Sequence, residues 1–133
     1  MTDAVFRKID CQILSAPDLD AAIDFYQNRL GQTLLWRSEE AAGFRMPETD
    51  AELVVHKRLA PETDLLVKSV PEAVERLTAA GALCVKPPFD IAIGKCAVVR
   101  DPFGNVLTIL DQSKGPLKTD DAKSVVSRKE VSP

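Results

Sequence analysis

LDAAIDFY (residues 19–26) and VPEAVERL (residues 70–77) decide the fold, because they repeat one helical pattern about fifty residues apart. Each stretch spaces its apolar residues as one face of a helix does. Asp18, directly before the first stretch, is the predicted N-cap of its helix. Each is followed by a glycine, Gly31 or Gly81, where a left-handed residue commonly ends a helix. A supersecondary unit of this size buries its apolar face against a copy of itself.

Strand-like segments flank both helices in the same order. They are predicted over residues 6–14, 33–37, 42–46, 51–58, 64–68, 83–86, 95–100 and 106–111. Residues 87–94 are rich in proline and glycine and are interpreted as a loop. The prediction is a single α+β domain over residues 1–112, made of two βαβββ modules at about 6–58 and 62–112.

Composition is that of an ordinary globular protein, with 45% hydrophobic and 28% charged residues. The net charge of −3 and the absence of a basic stripe argue against nucleic-acid binding. No apolar run reaches the roughly 20 residues that cross a bilayer. The N-terminus lacks a secretory pattern. We therefore expect no membrane partner and a cytoplasmic location.

The cysteines and the C-terminal tail carry little functional signal. Cys11, Cys84 and Cys96 have no metal-type spacing and are expected to be reduced and mostly buried. Residues 113–133 are polar and charged, which is typical of a flexible extension. This tail could become ordered by packing on another subunit.

Three segments carry a resemblance to a known superfamily: APDLDAAIDFYQNRLG, SVPEAVERLTAAGA and VVRDPFGNVLTILD. In this order and spacing, over roughly residues 6–112, they resemble the vicinal oxygen chelate superfamily. That superfamily includes glyoxalase I, bleomycin-resistance proteins and extradiol dioxygenases. The resemblance implies a curved mixed sheet around a cup, and homodimers are common among such proteins. The fold alone does not specify the function.

The resemblance also implies where a metal would be held, with one ligand on the first and last strand of each module. In this sequence three of these positions fall on Cys11, Glu62 and Thr108. The fourth falls on Leu53, and a shift of one residue would select Glu52 or Val54 instead. A threonine hydroxyl is a poor ligand, and a divalent ion needs several converging N, O⁻ or S⁻ donors. We therefore expect no metal and no cofactor.

His56 is the only histidine, so a site with two histidines is impossible within one subunit. Three interpretations remain open for it. It could face solvent at a strand end, or act in hydrogen bonding or proton transfer. It could also join Glu52, Glu62 and Cys11 in an unusual metal site.

The remaining pocket candidates are side chains on predicted strands. Trp36 and Phe44 could form a flat binding wall, although core packing is the commoner role of such residues. Cys11 and Cys96 are more typical of inert buried thiols. The predicted ligand-pocket residues are Cys11, Ile13, Trp36, Phe44, Leu53, His56, Glu62, Cys96 and Thr108.

Three functions are consistent with this sequence, and no catalytic residue is identified. The favoured one is binding of a small organic ligand in the cup without a metal, in the manner of bleomycin-resistance proteins. The first alternative is a metal-dependent lyase, isomerase or dioxygenase-like enzyme with a degenerate site. The second is a module that binds a protein partner.

Overall fold

A computed structural model of the protein describes residues 3–125. Within these residues, contacts group the chain into two compact units. The first unit comprises residues 10–62 with 117–125, and the second comprises residues 3–9 with 63–116. Each unit contains a parallel strand pair and antiparallel pairs beside one helical segment, so the predicted mixed α+β architecture is confirmed.

The first unit contains β1 (Lys8–Ser15, from Asp10 onward), β2 (Thr33–Arg37), β3 (Ala41–Met46) and β4 (Thr49–His56), in the order β2-β3-β4-β1. β1 pairs parallel with β4, and the other two pairs are antiparallel. The second unit contains β5 (Glu62–Leu66, from Thr63 onward), β6 (Leu83–Ile91), β7 (Gly94–Arg100) and β8 (Val106–Leu110), in the order β5-β8-β7-β6. Its parallel pair is β5 with β8.

The helical segment of the first unit begins where the sequence predicts. Asp18 is the N-cap, and its carboxylate accepts a hydrogen bond from the backbone N–H of Ala21. Helix α1 (Leu19–Ile23) then continues as a π-helix over Asp24–Arg29. Gly31 follows with φ +79°, a left-handed conformation that glycine adopts without strain.

Helix α2 (Val70–Ala79) begins at an N-cap too, since the Ser69 hydroxyl accepts from the backbone N–H of Glu72. Its start is also held by Asp111, whose carboxylate accepts from the backbone N–H of Val70 at 2.8 Å. Gly81 follows the helix with φ +113°. Among residues 3–125, no helix has the length and apolar character needed to cross a membrane.

One helix-packed core lies in each unit. In the first, the helical segment packs on Leu34, Ala42, Phe44 and Val55. In the second, α2 packs on Val67, Ala97 and Ile109. Because side chains alternate along a strand, the residues between these positions lie on the opposite sheet face. That second face is where candidate functional residues are found.

The prediction of a loop over residues 87–94 is wrong for residues 87–91, and only residues 92 and 93 form a turn. β6 continues as a strand to Ile91, with register shifts against β7 between Cys84 and Phe89. β6 is the edge strand of its unit. An edge strand has a neighbour on one side only, so the missing N–H groups of Pro87 and Pro88 can affect pairing with β7 alone. The two prolines therefore coincide with irregular pairing, without ending the strand.

The described part of the C-terminal tail is hydrogen bonded, which differs from the expected flexible extension. The backbone N–H of Arg37 donates to Lys123, and the N–H of Val125 donates to Arg37, at 2.8 and 2.7 Å. Within the tail, the Asp120 carboxylate accepts from the N–H groups of Ala122 and Ser124. The rest of the predicted tail, residues 126–133, lies outside the described residues.

Candidate functional site

The sheet face of the first unit that lies opposite its helix brings several predicted pocket residues together. Register places Cys11 beside Glu52, Ile13 beside Val54, and Ser15 beside His56. Cys11, Ile13, Ala41 and Val54 form one buried apolar cluster, with Trp36 packed against it. We call these four buried residues the floor of the site.

Phe44 and Leu53 do not belong to this face, and their prediction as pocket residues beside Cys11 is wrong. Phe44 is fully buried in the core under α1, and Leu53 packs against the same cluster. Strand alternation explains the error, because a side chain one position away along a strand points to the other face. Leu53 therefore faces the helix, whereas Glu52 and Val54 face the floor.

The position of Trp36 depends on a β-bulge. Leu34 and Trp36 are two residues apart, so a regular strand would place both on one face. The pairing of β2 with β3 shifts between them, and Trp36 packs on the floor while Leu34 lies in the helix-side core. A bulge turns a side chain to the other face in this way.

Trp36 and Glu52 form a fixed polar pair beside the floor. The indole Nε1–H donates to Glu52 Oε1 at 2.7 Å, and both side chains are half-buried. The pair crosses Gly43, where an added Cβ would overlap the indole and lie 2.8 Å from Glu52 Oε1. Gly43 is therefore required for the indole to lie this close to the backbone. We call Trp36 and Glu52 the rim of the site.

His56 closes the turn that follows β4. Its Nδ1 atom accepts hydrogen bonds from the backbone N–H groups of Arg58 and Leu59, both at 3.1 Å. A ring nitrogen that accepts hydrogen bonds carries no proton, so these two bonds require the neutral imidazole. Burial lowers the pKa of His56 below its ordinary value. Glu40 opposes this shift, Arg58 adds to it, and Glu62 opposes it.

We expect acidification from about pH 7.5 to about pH 5.5 to destabilise the protein through His56. Because the pKa of His56 is lowered in the folded state, its stabilising contribution is full above the ordinary histidine pKa. That contribution is lost as the pH falls through the folded-state pKa. Urea unfolding followed by circular dichroism at the two pH values measures the change.

The control variant for this prediction is His56→Asn. An asparagine side chain accepts backbone N–H groups in similar turns but does not titrate. Since the chain has one histidine, this variant should show a smaller loss of stability between the two pH values. An equal loss in both proteins would contradict the assigned role of His56.

The second unit places Thr108 and Cys96 on the sheet face opposite α2. Thr108 pairs with Asp64 on one side and Val98 on the other, and Cys96 pairs with Leu110. Asp64 is only 7% exposed. Sequence reasoning did not select Asp64. Its neighbour Leu65 packs under α2, so strand alternation places Asp64 on the opposite face.

Equivalent backbone hydrogen bonds identify the fourth metal position of the superfamily. In the first unit, the N–H of Ala16 donates to the carbonyl of His56, and in the second Val67 donates to Leu110, both at 2.9 Å. His56 therefore corresponds to Leu110. Val54 lies two residues before His56, and Thr108 lies two residues before Leu110, so Val54 corresponds to Thr108. The fourth position is Val54, and the prediction of Leu53 is wrong.

The residues at these positions do not fit a metal ion. The set is Cys11, Val54, Glu62 and Thr108, of which only a thiol and a carboxylate are ordinary ligands. Glu62 begins β5 half-buried, with its backbone carbonyl accepting from Gln12 Nε2 at 3.1 Å. Within residues 3–125, no three His, Cys, Asp or Glu side chains are grouped so that they could hold a metal. A divalent ion needs more donors than this set supplies.

A family profile described as a glyoxalase-like domain matches residues 11–110, about three quarters of the chain. The chain belongs to the glyoxalase-like domain family. With it the protein belongs to the vicinal oxygen chelate superfamily, as its sequence segments predicted. A search of curated protein sequences finds no match.

Solved structures similar to this glyoxalase-like protein include several enzymes. Methylmalonyl-CoA epimerase from Mycobacterium tuberculosis has a TM-score of 0.66 at 15% identity, over 85% of this chain and 93% of that one. The Mn(II)-bound glyoxalase from Novosphingobium aromaticivorans has a TM-score of 0.60 at 17% identity, over 87% and 42%. An extradiol ring-cleaving dioxygenase from B. fuscum has a TM-score of 0.57 at 21% identity, over 93% and 35%. This chain spans less than half of the latter two, and identities this low establish the fold alone.

Proposed function

We propose that this glyoxalase-like protein binds a small organic ligand, without a metal ion, at the floor and rim of its first unit. The observation that carries the proposal is the apolar floor of Cys11, Ile13, Ala41 and Val54 with the indole of Trp36 against it. Ligand sites are mostly apolar surfaces with a few fixed polar groups. Glu52, held by Trp36, is such a group.

The donor set supports a metal-independent mode of binding. In the first unit, the positions that the superfamily uses for metal ligands hold Cys11, Val54 and Glu62, and an aliphatic side chain is no donor for a divalent ion. In the second unit, Thr108 offers only a neutral hydroxyl, which is a poor donor. Ligand affinity would instead come mainly from stacking on the half-buried indole, with the buried floor supporting the ring from beneath. No step of bond making or breaking is part of this proposal.

Intrinsic fluorescence gives a direct test, because Trp36 is the only tryptophan. Benzamidine, benzamide and benzoate are titrated into metal-free protein, with ligand-observed NMR as a second readout. We expect saturable binding of at least one compound, with a Kd on the order of a millimolar for fragments of this size. Added Mn(II) or Zn(II) should leave the Kd unchanged.

Gly43→Ala is the variant that tests the location of the site. Its Cβ would overlap the indole, so Trp36 must move away from Glu52, and we expect fragment binding to weaken at least about tenfold. Thr33→Ala is the control, because Thr33 is an exposed residue of the same strand β2. The proposal fails if no fragment binds, if binding needs added metal, or if Gly43→Ala binds as well as the unmodified protein.

A further inference from the structure

We propose that the tip of the β7–β8 hairpin, with the start of β6 beside it, is a contact surface for a second copy of this chain. Five residues form this surface, which we call the hairpin patch: Leu83, Arg100, Asp101, Phe103 and Val106. All five belong to the second unit, whereas the proposed ligand site belongs to the first. Dimer formation through the patch therefore does not depend on ligand binding.

The apolar side chains of the hairpin patch are the three most exposed large hydrophobic residues within residues 3–125. Phe103 is 87% exposed, Leu83 63% and Val106 59%. Exposed hydrophobic residues that are scattered singly over a surface are common and need no explanation. A group of them in one place marks an interaction surface.

The sheet register gathers these residues around one arginine. Leu83 of β6 lies opposite Arg100 of β7, and Arg100 lies opposite Val106 of β8. Side chains that lie directly opposite each other are neighbours on one sheet face. Phe103 lies in the turn that joins β7 to β8. An aliphatic residue therefore flanks Arg100 on each side, with the exposed ring at the tip of the same hairpin.

The charges of the hairpin patch are opposite in sign and adjacent in sequence. Within residues 3–125, neither Arg100 nor Asp101 takes part in an ion pair. The Asp101 carboxylate accepts hydrogen bonds from the backbone N–H groups of Phe103 and Asn105, both at 2.9 Å. These bonds fix the position of the carboxylate and leave its charge in place. The patch therefore carries one positive and one negative charge.

This charge arrangement favours a second copy as the occupant. A twofold axis brings the same surface of two copies together, so that each residue meets its neighbours' counterparts. Arg100 of one copy would then meet the partner's Asp101, and the reverse pair would form as well. A patch with charges of one sign would repel its own copy. An aromatic residue and an arginine are also the residue types that contribute most to protein interfaces.

The hairpin patch is small, so the expected dimer is weak. Stable interfaces bury about 800 Å² on each partner, which is more than five side chains supply. Exposed ion pairs add little to affinity, and most of it would come from burying Phe103. We expect a dissociation constant on the order of 100 µM.

Sedimentation velocity of the full chain between about 10 µM and about 1 mM tests the proposal, because this range brackets the expected Kd. The average mass should rise from near 14.5 kDa, the mass of one chain, toward twice that value and no further. Phe103→Ala should weaken the association at least about tenfold. Phe25→Ala is the matched control, because Phe25 is an exposed phenylalanine on the helical segment of the first unit. It should associate as the unmodified protein does.

Arg100→Glu tests the charge arrangement separately. It leaves two acidic residues facing two others across the twofold axis, so we expect no dimer in the same concentration range. Arg45→Glu is its control, since it makes the same change of charge at an exposed position of the first unit. A chain that stays monomeric throughout, or a mass that exceeds two copies, would overturn the proposal. So would dimers of Phe103→Ala or Arg100→Glu as strong as those of their controls.

Discussion

Replacing Asp111 with alanine is expected to lower the free energy of unfolding by about 4 kcal/mol, a large part of the stability of a small domain. Asp111 is 1% exposed and lies directly after β8. Its carboxylate accepts from the backbone N–H groups of Val70 and Lys95 at 2.8 and 2.9 Å, and from the Ser113 hydroxyl at 2.7 Å. Removing it leaves buried donors without an acceptor, which is costly.

Urea unfolding followed by circular dichroism measures this loss. Asp101→Ala is the control, because Asp101 also accepts backbone N–H groups but lies in an exposed turn. Water can replace its hydrogen bonds, so we expect a loss of about 1 kcal/mol or less. Equal losses in the two variants would show that Asp111 does not join α2 to the strands as described.

Asp111 also predicts how the protein responds to acid. Burial alone would raise the pKa of its carboxyl, but hydrogen bonds from Val70, Ser113 and Lys95 outweigh burial and hold the pKa below its usual range. A carboxyl with a lowered pKa stabilises the fold fully above the unfolded value of about 4. That stabilisation is lost as the pH falls through the folded pKa, and Asp111→Asn should lack this part of the acid dependence.

Replacing Phe44 with alanine is expected to cost about 4 kcal/mol, because large-to-small changes in a core remove buried surface and leave a cavity. Phe44 is fully buried among Leu34, Ala42 and Val55, and its ring centre lies 5.8 Å from that of Tyr26. Thermal or urea unfolding measures the loss.

Phe103→Ala is the control for Phe44, because Phe103 is 87% exposed. Its replacement should change stability by less than about 0.5 kcal/mol. The Phe44 result also tests the face assignment. A loss for Phe44→Ala as small as that for Phe103→Ala would mean that Phe44 is not under the helix, and would reopen its role as a pocket residue.

The residue pattern predicted the fold well, because its signals are local. Asp18 as an N-cap and Gly31 as a left-handed residue depend only on neighbouring backbone groups, and the structure shows both. The two helical repeats and the closing hairpin segment also identified the superfamily, which the family profile confirms. Each of these features depends on residues that are close together in the sequence.

The candidate site was predicted less well, because it depends on register. Trp36 and Phe44 were expected on one wall, and a bulge in β2 places them on opposite faces. Glu52 was only an alternative to Leu53, since pattern alone leaves a one-residue ambiguity. His56 had three open interpretations, and only the turn geometry shows its Nδ1 atom accepting two backbone N–H groups.

The sequence by itself determined the repeated α+β units and the glycines that follow both helical segments, because local spacing encodes them. The tertiary structure alone decided which strand residues share a face, that β6 extends through two prolines, and that Trp36 holds Glu52 above Gly43. The physical reason is that side chains alternate with a period of two, so one bulge or one step of register exchanges the two faces of a strand.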